Sequence, residues 1–361
     1  MTQPAAGSAQ LTIITTNRCN AACSHCIMCS GKGRKETLTF AQIKKNIDQM
    51  RKLSGGNFVL IFTGGEPTLL GEDLFEAIAY ADGFGIPSRI VTNAHWAKTP
   101  QAAEKMVRTL RECGLFEINI STDDYHVKYV PFSNVKNAWK ACHNKGFNAV
   151  VMGVSYSDKS KITPDYVEAQ FNEKLQRRFN KAEKELPFKK RDKDGTIYGI
   201  SNSRVVNLGR AAEELDDKTF KYKTHARSLL GRCATVMSTV TVSPSNHLWA
   251  CCGFECGDGS ALDLGDLSKS SMASIIKRNE KNVVVQAIKT MGPMFLKDFL
   301  TSIEPGLVFK ERYTCACDLC KDIVMNENAL SVIKKHKKDL WAKIEESKSF
   351  LEIISCDGSR Q

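Results

Sequence analysis

Between residues 11 and 206, short β-branched apolar runs alternate with stretches of helical periodicity, and this alternation narrows the fold more than any other feature. The runs at 11–15, 58–62, 89–92, 116–121 and 149–155 read as strands, with a sixth at 197–206. Between them, 39–53 places Phe40, Ile43, Ile47 and Met50 on one helix face, and further helices are predicted at 74–81, 100–113, 134–145 and 164–183. Strand alternating with helix requires parallel strands and crossover helices, so the fold class is α/β, as a layer or an open barrel. In such folds ligands collect at the carboxyl ends of the strands.

The rhythm stops after about residue 215. Cysteine, Gly and Ser become frequent, and a small hairpin is predicted from 239–242 and 247–250 around Pro244-Ser245-Asn246. Gly265-Asp266-Leu267 then precedes a helix starting near Ser271, and 327–354 reads as helical and basic at one end. These changes divide the chain into 9–215, a cysteine-rich module at 216–323 and a helical tail at 324–361. No internal repeat interrupts the series.

Fourteen cysteines among 361 residues need an explanation. Residues 1–15 lack a basic segment and a long apolar core, and no apolar run approaches the roughly 20 residues that span a bilayer. The expected location is therefore the cytoplasm, where thiols point to metal binding or catalysis rather than disulfides. Cys113 and Cys142 stand alone in helical segments and read as small buried hydrophobes. The net charge of +11 is concentrated at 159–191, with ten Lys/Arg against five Asp/Glu, and at Lys334, Lys335, Lys337 and Lys338. Such runs are ordinarily solvated helix faces, and they steer acidic partners. No nucleic-acid-binding motif accompanies them.

Cys19, Cys23 and Cys26 follow directly on the first strand in a CxxxCxxC pattern. Three thiolates at this spacing can converge on one metal centre. Zinc sites usually close with four ligands, whereas three cysteines leave one iron of a [4Fe–4S] cube open. Cys29, three residues on, is a fourth candidate, and spacing alone leaves the choice open. A second motif, Gly64-Gly65-Glu66-Pro67, lies just past the second strand, where the glycines permit close backbone approach and Pro67 fixes the turn.

The two motifs, in order and each at a strand end, resemble the radical S-adenosylmethionine (SAM) superfamily over residues 9–210. The resemblance implies a partial (β/α)6 TIM-like barrel, a [4Fe–4S] cluster on Cys19, Cys23 and Cys26, and SAM chelating the open iron. It implies that Gly64, Gly65, Glu66 and Pro67 hold the SAM amino group. Thr92, Asn93, Ser121 and Asp123, at the ends of the third and fourth strands, stand where the family contacts the ribose and carboxylate. Arg204 is a further candidate partner for the SAM carboxylate. His25 departs from the aromatic residue common near the adenine, although it too can stack. The implied chemistry is one-electron cleavage of SAM to methionine and a 5′-deoxyadenosyl radical, which takes hydrogen from a substrate. An electron donor such as flavodoxin or ferredoxin is implied with it.

Cys233, Cys251, Cys317 and Cys320 form a second group, suited to zinc or to a fully ligated [4Fe–4S] cluster. Their layout resembles the twitch module, the shortened form of the SPASM domain, which implies one auxiliary [4Fe–4S] cluster. The longer CxxCx5CxxxC run of a full SPASM domain is absent. Cys315 makes the local pattern CxCxxC, so the ligand set can shift by one residue. Cys252 and Cys256 are spare thiols: inert, alternative ligands, or hydrogen donors to a substrate radical as in radical epimerases. Gly31-Lys32-Gly33 lacks the spacing of a phosphate loop. His95, His126, His143, Tyr125 and Tyr129 read as structural, with His126 near enough to Ser121 and Asp123 to face a cavity.

The function expected from this set is oxidative modification or cross-linking of a ribosomally made peptide. Cys19 lies close to the start of the sequence, which argues against a peptide-recognition domain ahead of the barrel. The alternative is a dehydrogenase or epimerase of sugars or aminocyclitols. A non-catalytic iron–sulfur or zinc protein is the third reading, and Gly64-Gly65-Glu66-Pro67 speaks against it.

Overall fold

The computed structural model describes residues 9–180, 184–223 and 229–357. They form two compact units, one running to residue 221 and including 242–246, the other comprising 222–241 and the chain from 247 onward. The first unit contains strands β1 (Ala9–Thr16), β2 (Phe58–Gly64), β3 (Ser88–Thr92), β4 (Glu117–Ser121), β5 (Ala149–Tyr156), β6 (Gln176–Arg177) and β7 (Ile197–Arg204). Helices α1 (Phe40–Ser54), α2 (Glu72–Asp82), α3 (Pro100–Glu112), α4 (Phe132–Cys142), α5 (Pro164–Phe171) and α6 (Ala211–Glu214) accompany them.

The strands lie in the order β1-β2-β3-β4-β5-β7-β6, and every pair among them is parallel. Leu11, Ile13, Leu60, Phe62, Ile90, Ile118, Ile120, Val150 and Met152 are wholly buried, and α1 and α3 present Ile43, Ile47, Val107 and Leu110 to the same core. Local chemistry sets the helix starts. Thr39 and Gln42 form a capping box on α1, while Thr99-Pro100 and Thr163-Pro164 place a hydroxyl cap and a proline at the first turns of α3 and α5. All six carboxyl ends that matter to a ligand therefore fall on one edge of the sheet, after Thr16, Gly64, Thr92, Ser121, Tyr156 and Arg204.

The helix expected over 164–183 ends at Phe171. Asn172 adopts the left-handed conformation (φ 54°) and caps it. Buried Glu168 then accepts from the Leu175 amide (3.1 Å) and from Arg177 (2.8 Å), which turns the chain into β6. Residues 181–183 of that expected helix lie outside the described residues.

The second unit holds β9 (His247–Trp249), antiparallel to β10 (Asp263–Asp266), with β8 (Thr239–Val242) beside β9. Helices α7 (Met272–Asn279), α8 (Val283–Thr290), α9 (Pro293–Ile303), α10 (Ala316–Val324), α11 (Glu327–Lys335) and α12 (Lys337–Asp357) complete it. Ser271 caps α7 through the Ser274 amide. The boundary expected after 215 falls after 221. The tail expected as a separate part belongs to the second unit, with α12 packed on α8 and α11 on α9 and α10. Among the described residues no helix is long and apolar enough to cross a membrane.

Trp139 joins α4 to α5 and β7. Its ring is buried, stacks on Phe171 at 4.9 Å and meets Tyr198 edge-on at 5.6 Å. Trp139→Ala is expected to cost about 3–5 kcal/mol, and Thr163→Ala, which removes only a cap, about 1 kcal/mol. Urea unfolding of both variants checks this ranking, and equal midpoints would contradict it.

Candidate metal centre

The cysteine loop leaves β1 at Thr16 and is zipped at its root. The Asn17 amide donates to the Glu36 carbonyl (2.9 Å), Gly31 N to Asn17 O (3.1 Å) and Cys19 N to Gly31 O (3.2 Å). Above this root Cys19, Cys23 and Cys26 line one cavity of about 280 Å³ at the strand ends. Cys29 takes a left-handed turn (φ 50°) and is not among the lining residues, so the geometry offers three thiols where the spacing left a fourth open.

Burial pushes the Cys19 thiol up to about 11, and the nearby Glu66 and Cys26 add to it. Burial raises Cys23 further, with Asp123, Cys26 and Cys19 adding. Cys19 and Cys23, buried beside Glu66 and Asp123, are poor thiolates by themselves, and a multiply charged iron centre is the counter-charge that reverses this. The donor set and its surroundings therefore fit an iron–sulfur cluster.

The end of β2 is welded to this loop. Gly65 N donates to Thr16 O (2.7 Å) and Glu66 N to Arg18 O (2.9 Å). A Cβ at Gly64 would lie 2.4 Å from the Thr16 carbonyl oxygen, and one at Gly65 would lie 2.0 Å from that of Arg18. The close approach that these glycines allow is thus to the cysteine loop itself, and both also line the cavity. Pro67 opens a short turn, Pro67–Leu70, with Glu66 as its cap.

Glu66 is wholly buried, and four donors meet its carboxylate. Oε1 accepts from the Thr68 hydroxyl (2.6 Å), the Thr68 amide (3.2 Å) and the Thr92 hydroxyl (2.8 Å), and Oε2 from the Asn93 amide (2.8 Å). Its contacts fix the end of β3. Thr92 also accepts from the Trp96 indole (3.1 Å), and Asn93 Nδ2 donates to Asn20 Oδ1 (2.9 Å) and points at Cys19 Sγ (3.8 Å).

Asp123 plays the same part at the end of β4. Its buried Oδ2 meets His126 Nδ1 (2.9 Å) and His25 Nε2 (3.1 Å), while Oδ1 accepts from the Tyr125 and His126 amides (both 2.9 Å). Burial alone would raise its carboxyl, but His126 and His25 outweigh that and hold it far below the usual carboxylate range. The His25 ring stacks on Tyr125 at 4.7 Å. Ligand atoms of Cys23, His25 and His126 lie within 4.8 Å of one another. His126, expected as a structural residue, is both paired and part of the cavity wall, as is Ser121. Tyr129 donates to the Ala22 carbonyl (2.8 Å).

Arg204 is not brought to this cavity. It pairs with Asp158 (2.5 Å) and lies over the Tyr156 ring. The arginine at the loop is Arg210, which donates to the carbonyls of Cys23 (2.7 Å) and Ser30 (2.6 Å) and whose charge acts on Cys19 and Cys23. Sequence reasoning missed it because no motif spacing marks a residue that acts through backbone carbonyls.

In the second unit Cys233, Cys251, Cys317 and Cys320 line a cavity of about 120 Å³. Cys317 and Cys320 sit one turn apart on α10, and Cys315 caps that helix. A Cβ at Gly253 would lie 3.1 Å from Cys317 Sγ and 3.9 Å from Cys251 Sγ, so a glycine there leaves room where two thiols converge. Burial, with Cys251 and Cys233 adding, pushes Cys320 well up. Cys256 is wholly buried, points at the Phe254 carbonyl (3.5 Å) and holds the Cys251 thiol down at about 7. Neither Cys252 nor Cys256 lines this cavity.

Residues 13–157 match the Radical SAM superfamily. This chain contains a radical SAM domain. It is 24% identical over 127 residues to YydG of Bacillus subtilis (strain 168), provisionally assigned as a peptide biosynthesis protein, covering 35% of this chain and 40% of that one. It is 34% identical over 96 residues to the mycofactocin maturase MftC of Mycolicibacterium smegmatis, covering 27% of this chain and 24% of that one. The chain thus spans well under half the length of the curated relatives it matches. The solved structure of native anSMEcpe with bound AdoMet superposes with a TM-score of 0.51 over 93% of this chain and 99% of that one, at 13% identity, which shows a shared fold.

Two predictions follow from the radical SAM domain's geometry. Gly65→Ala is expected to displace the Arg18 carbonyl and with it the loop that carries Cys19, Cys23 and Cys26, so that the chain takes up markedly less iron on anaerobic reconstitution; undiminished iron uptake would contradict the weld. Asp123 stabilises the fold fully above the ordinary carboxylate value of about 4, and this is lost as pH falls toward its own lower value. Asp123→Asn is therefore expected to lower stability at pH 7 by about 3–5 kcal/mol and to flatten the acid limb of a urea-midpoint profile below about pH 4.

Proposed function

We propose that this chain is a radical SAM enzyme that oxidatively modifies or cross-links a ribosomally made peptide. The observation that carries the reading is the set of three thiols, with Cys29 outside it, in one cavity with the glycine-welded end of β2. In this reading Cys19, Cys23 and Cys26 hold a [4Fe–4S] cluster whose remaining position is left to SAM. When bound, the cluster supplies an electron that splits SAM into methionine and a 5′-deoxyadenosyl radical, which takes a hydrogen atom from the substrate. The chain's own residues orient these groups and exclude water.

The Gly64-Gly65 backbone forms the wall available to the SAM amino group. Glu66 acts behind it, by fixing Thr92 and Asn93, rather than as a free carboxylate. Asn93 offers an amide to the Cys19 sulfur. His25, held by Asp123 and Tyr125, presents a ring to the cavity beside Cys26. Cys233, Cys251, Cys317 and Cys320 are the ligands proposed for an auxiliary [4Fe–4S] cluster of the twitch type, which would take an electron from the substrate radical. The name of YydG, a peptide biosynthesis protein, supports a peptide as the substrate class, and that of MftC, a maturase, supports a modifying reaction. A reduced flavodoxin or ferredoxin is the proposed electron source, and the cytoplasm the proposed location.

Iron and sulfide are to be measured after anaerobic reconstitution, with 5′-deoxyadenosine formation under reduction. Two clusters predict about 8 iron in the wild type and about 4 in a Cys19/Cys23/Cys26→Ala variant. That variant is expected to form no 5′-deoxyadenosine. Formation at the wild-type rate would overturn the assignment, and an unchanged mass of a candidate peptide alongside turnover of a sugar would overturn the substrate class.

A further inference from the structure

The root of the cysteine loop is zipped by its own backbone, while its apex makes few backbone bonds of its own. Within residues 20–30 the described backbone bonds are Cys26 N to Cys23 O (3.0 Å) and Cys29 N to Cys26 O (3.3 Å). Two metal ligands, Cys23 and Cys26, ride on this apex. Single side-chain bonds reach it between Asn93 and Asn20, between Tyr129 and the Ala22 carbonyl, and between Asp123 and His25 Nε2 (3.1 Å). One residue reaches it three times. Arg210 Nη1 donates to Cys23 O (2.7 Å), Nη2 to Ser30 O (2.6 Å) and its backbone amide to Cys26 O (3.0 Å).

The planar fork of a guanidinium spans both limbs of the loop at fixed separation, which an ammonium does not reproduce. The neighbouring residue is built for the same contact. Gly209 has φ 56°, and a Cβ there would lie 2.4 Å from the Cys26 carbonyl oxygen and 2.6 Å from Ile27 Cα. Only glycine lets the chain after β7 come close enough for the Arg210 amide to reach Cys26.

We propose that Gly209-Arg210 is a latch: Arg210 is a positioning residue that holds the apex in the form that takes up and retains the cluster. This rests on the reading of Cys19, Cys23 and Cys26 as cluster ligands. Four full-length variants test it, Arg210→Met, Arg210→Lys, Gly209→Ala and Glu214→Gln, with iron counted above the Cys19/Cys23/Cys26→Ala baseline. The Glu214 carboxylate lies 3.7 Å from Arg210 Nε, a longer contact than any of the three bonds to the loop, and serves as the control.

Arg210→Met is expected to release first-site iron to a chelator about 10–100-fold faster, the usual cost of losing a partner behind a metal ligand. Gly209→Ala should do the same with the guanidinium intact. Arg210→Lys should fall between, and Glu214→Gln should match the wild type. The electron paramagnetic resonance signal of the reduced cluster should shift in Arg210→Met and return partly in Arg210→Lys. Release rates and signals equal to wild type in both Arg210→Met and Gly209→Ala would overturn the latch. Hydrogen exchange on the iron-free chain reads the latch independently of the cluster. Arg210→Met should exchange about tenfold faster across residues 20–30, the effect of losing bonds to a charged donor. Equal exchange there overturns the latch, whereas wild-type protein holding no iron above the baseline overturns the cluster assignment instead.

Discussion

The Gly65 amide lies 2.7 Å from the Thr16 carbonyl, and the rest of the candidate site hangs from that contact. β1 and β2 are already parallel neighbours, but parallel pairing ends with the strands. Carrying the backbone of one across the loop of the other needs two residues without side chains, because Cβ atoms at Gly64 and Gly65 would fall inside the carbonyls of Thr16 and Arg18. The thiol-bearing loop therefore begins from a fixed point, and the cavity wall and the ligand loop become one piece of backbone.

Two buried carboxylates extend this frame to the next strand ends. Glu66 and Asp123 each receive four donors from the segment they organise. A buried carboxylate is costly unless fully satisfied, so its partners are held firmly in place. Glu66 thereby ties β2 to β3, and Asp123 ties β4 to the His25 ring within the cysteine loop. Acidic residues at the ends of strands in such a fold invite a reading as ligand contacts. Here their oxygens are turned to protein donors, and the cavity is lined instead by what those donors hold, Thr92, Asn93 and the two histidines.

The parallel sheet was legible in the sequence because fully buried strands write continuous β-branched runs, as at Leu60, Ile61 and Phe62. That Cys19, Cys23, Cys26 and Gly64-Gly65 meet at one cavity was expected from two spaced motifs, each at a strand end. The end of α5 was not. Residues 172–183 carry charges compatible with a helix, and the stop depends on Asn172 turning left-handed and on a buried Glu168 drawing Leu175 and Arg177 back. The two arginines show the same limit. Arg204, placed by its strand, pairs with Asp158, while Arg210, six residues on, grips the loop through carbonyls that no residue type announces. Side-chain chemistry can be read along a chain, but contacts to backbone carbonyls belong to the fold.

The two thiol groups differ in how much of the work falls to the protein. At the first, all three cysteines lie within eight residues, and hydrogen bonds from β2, β3, β4 and the chain after β7 hold that segment. A metal centre there meets an organised loop, so its affinity reflects how well the frame holds the thiols. At the second, Cys233, Cys251 and the Cys317–Cys320 pair come from three distant segments, joined by the small cavity they share. Bringing such segments together costs loop-closure entropy that grows with the chain between them, and ligation of a metal would offset it. A metal at the second group would thus act mainly as a clasp on the fold of its unit, whereas at the first the fold would act as a clasp on the metal.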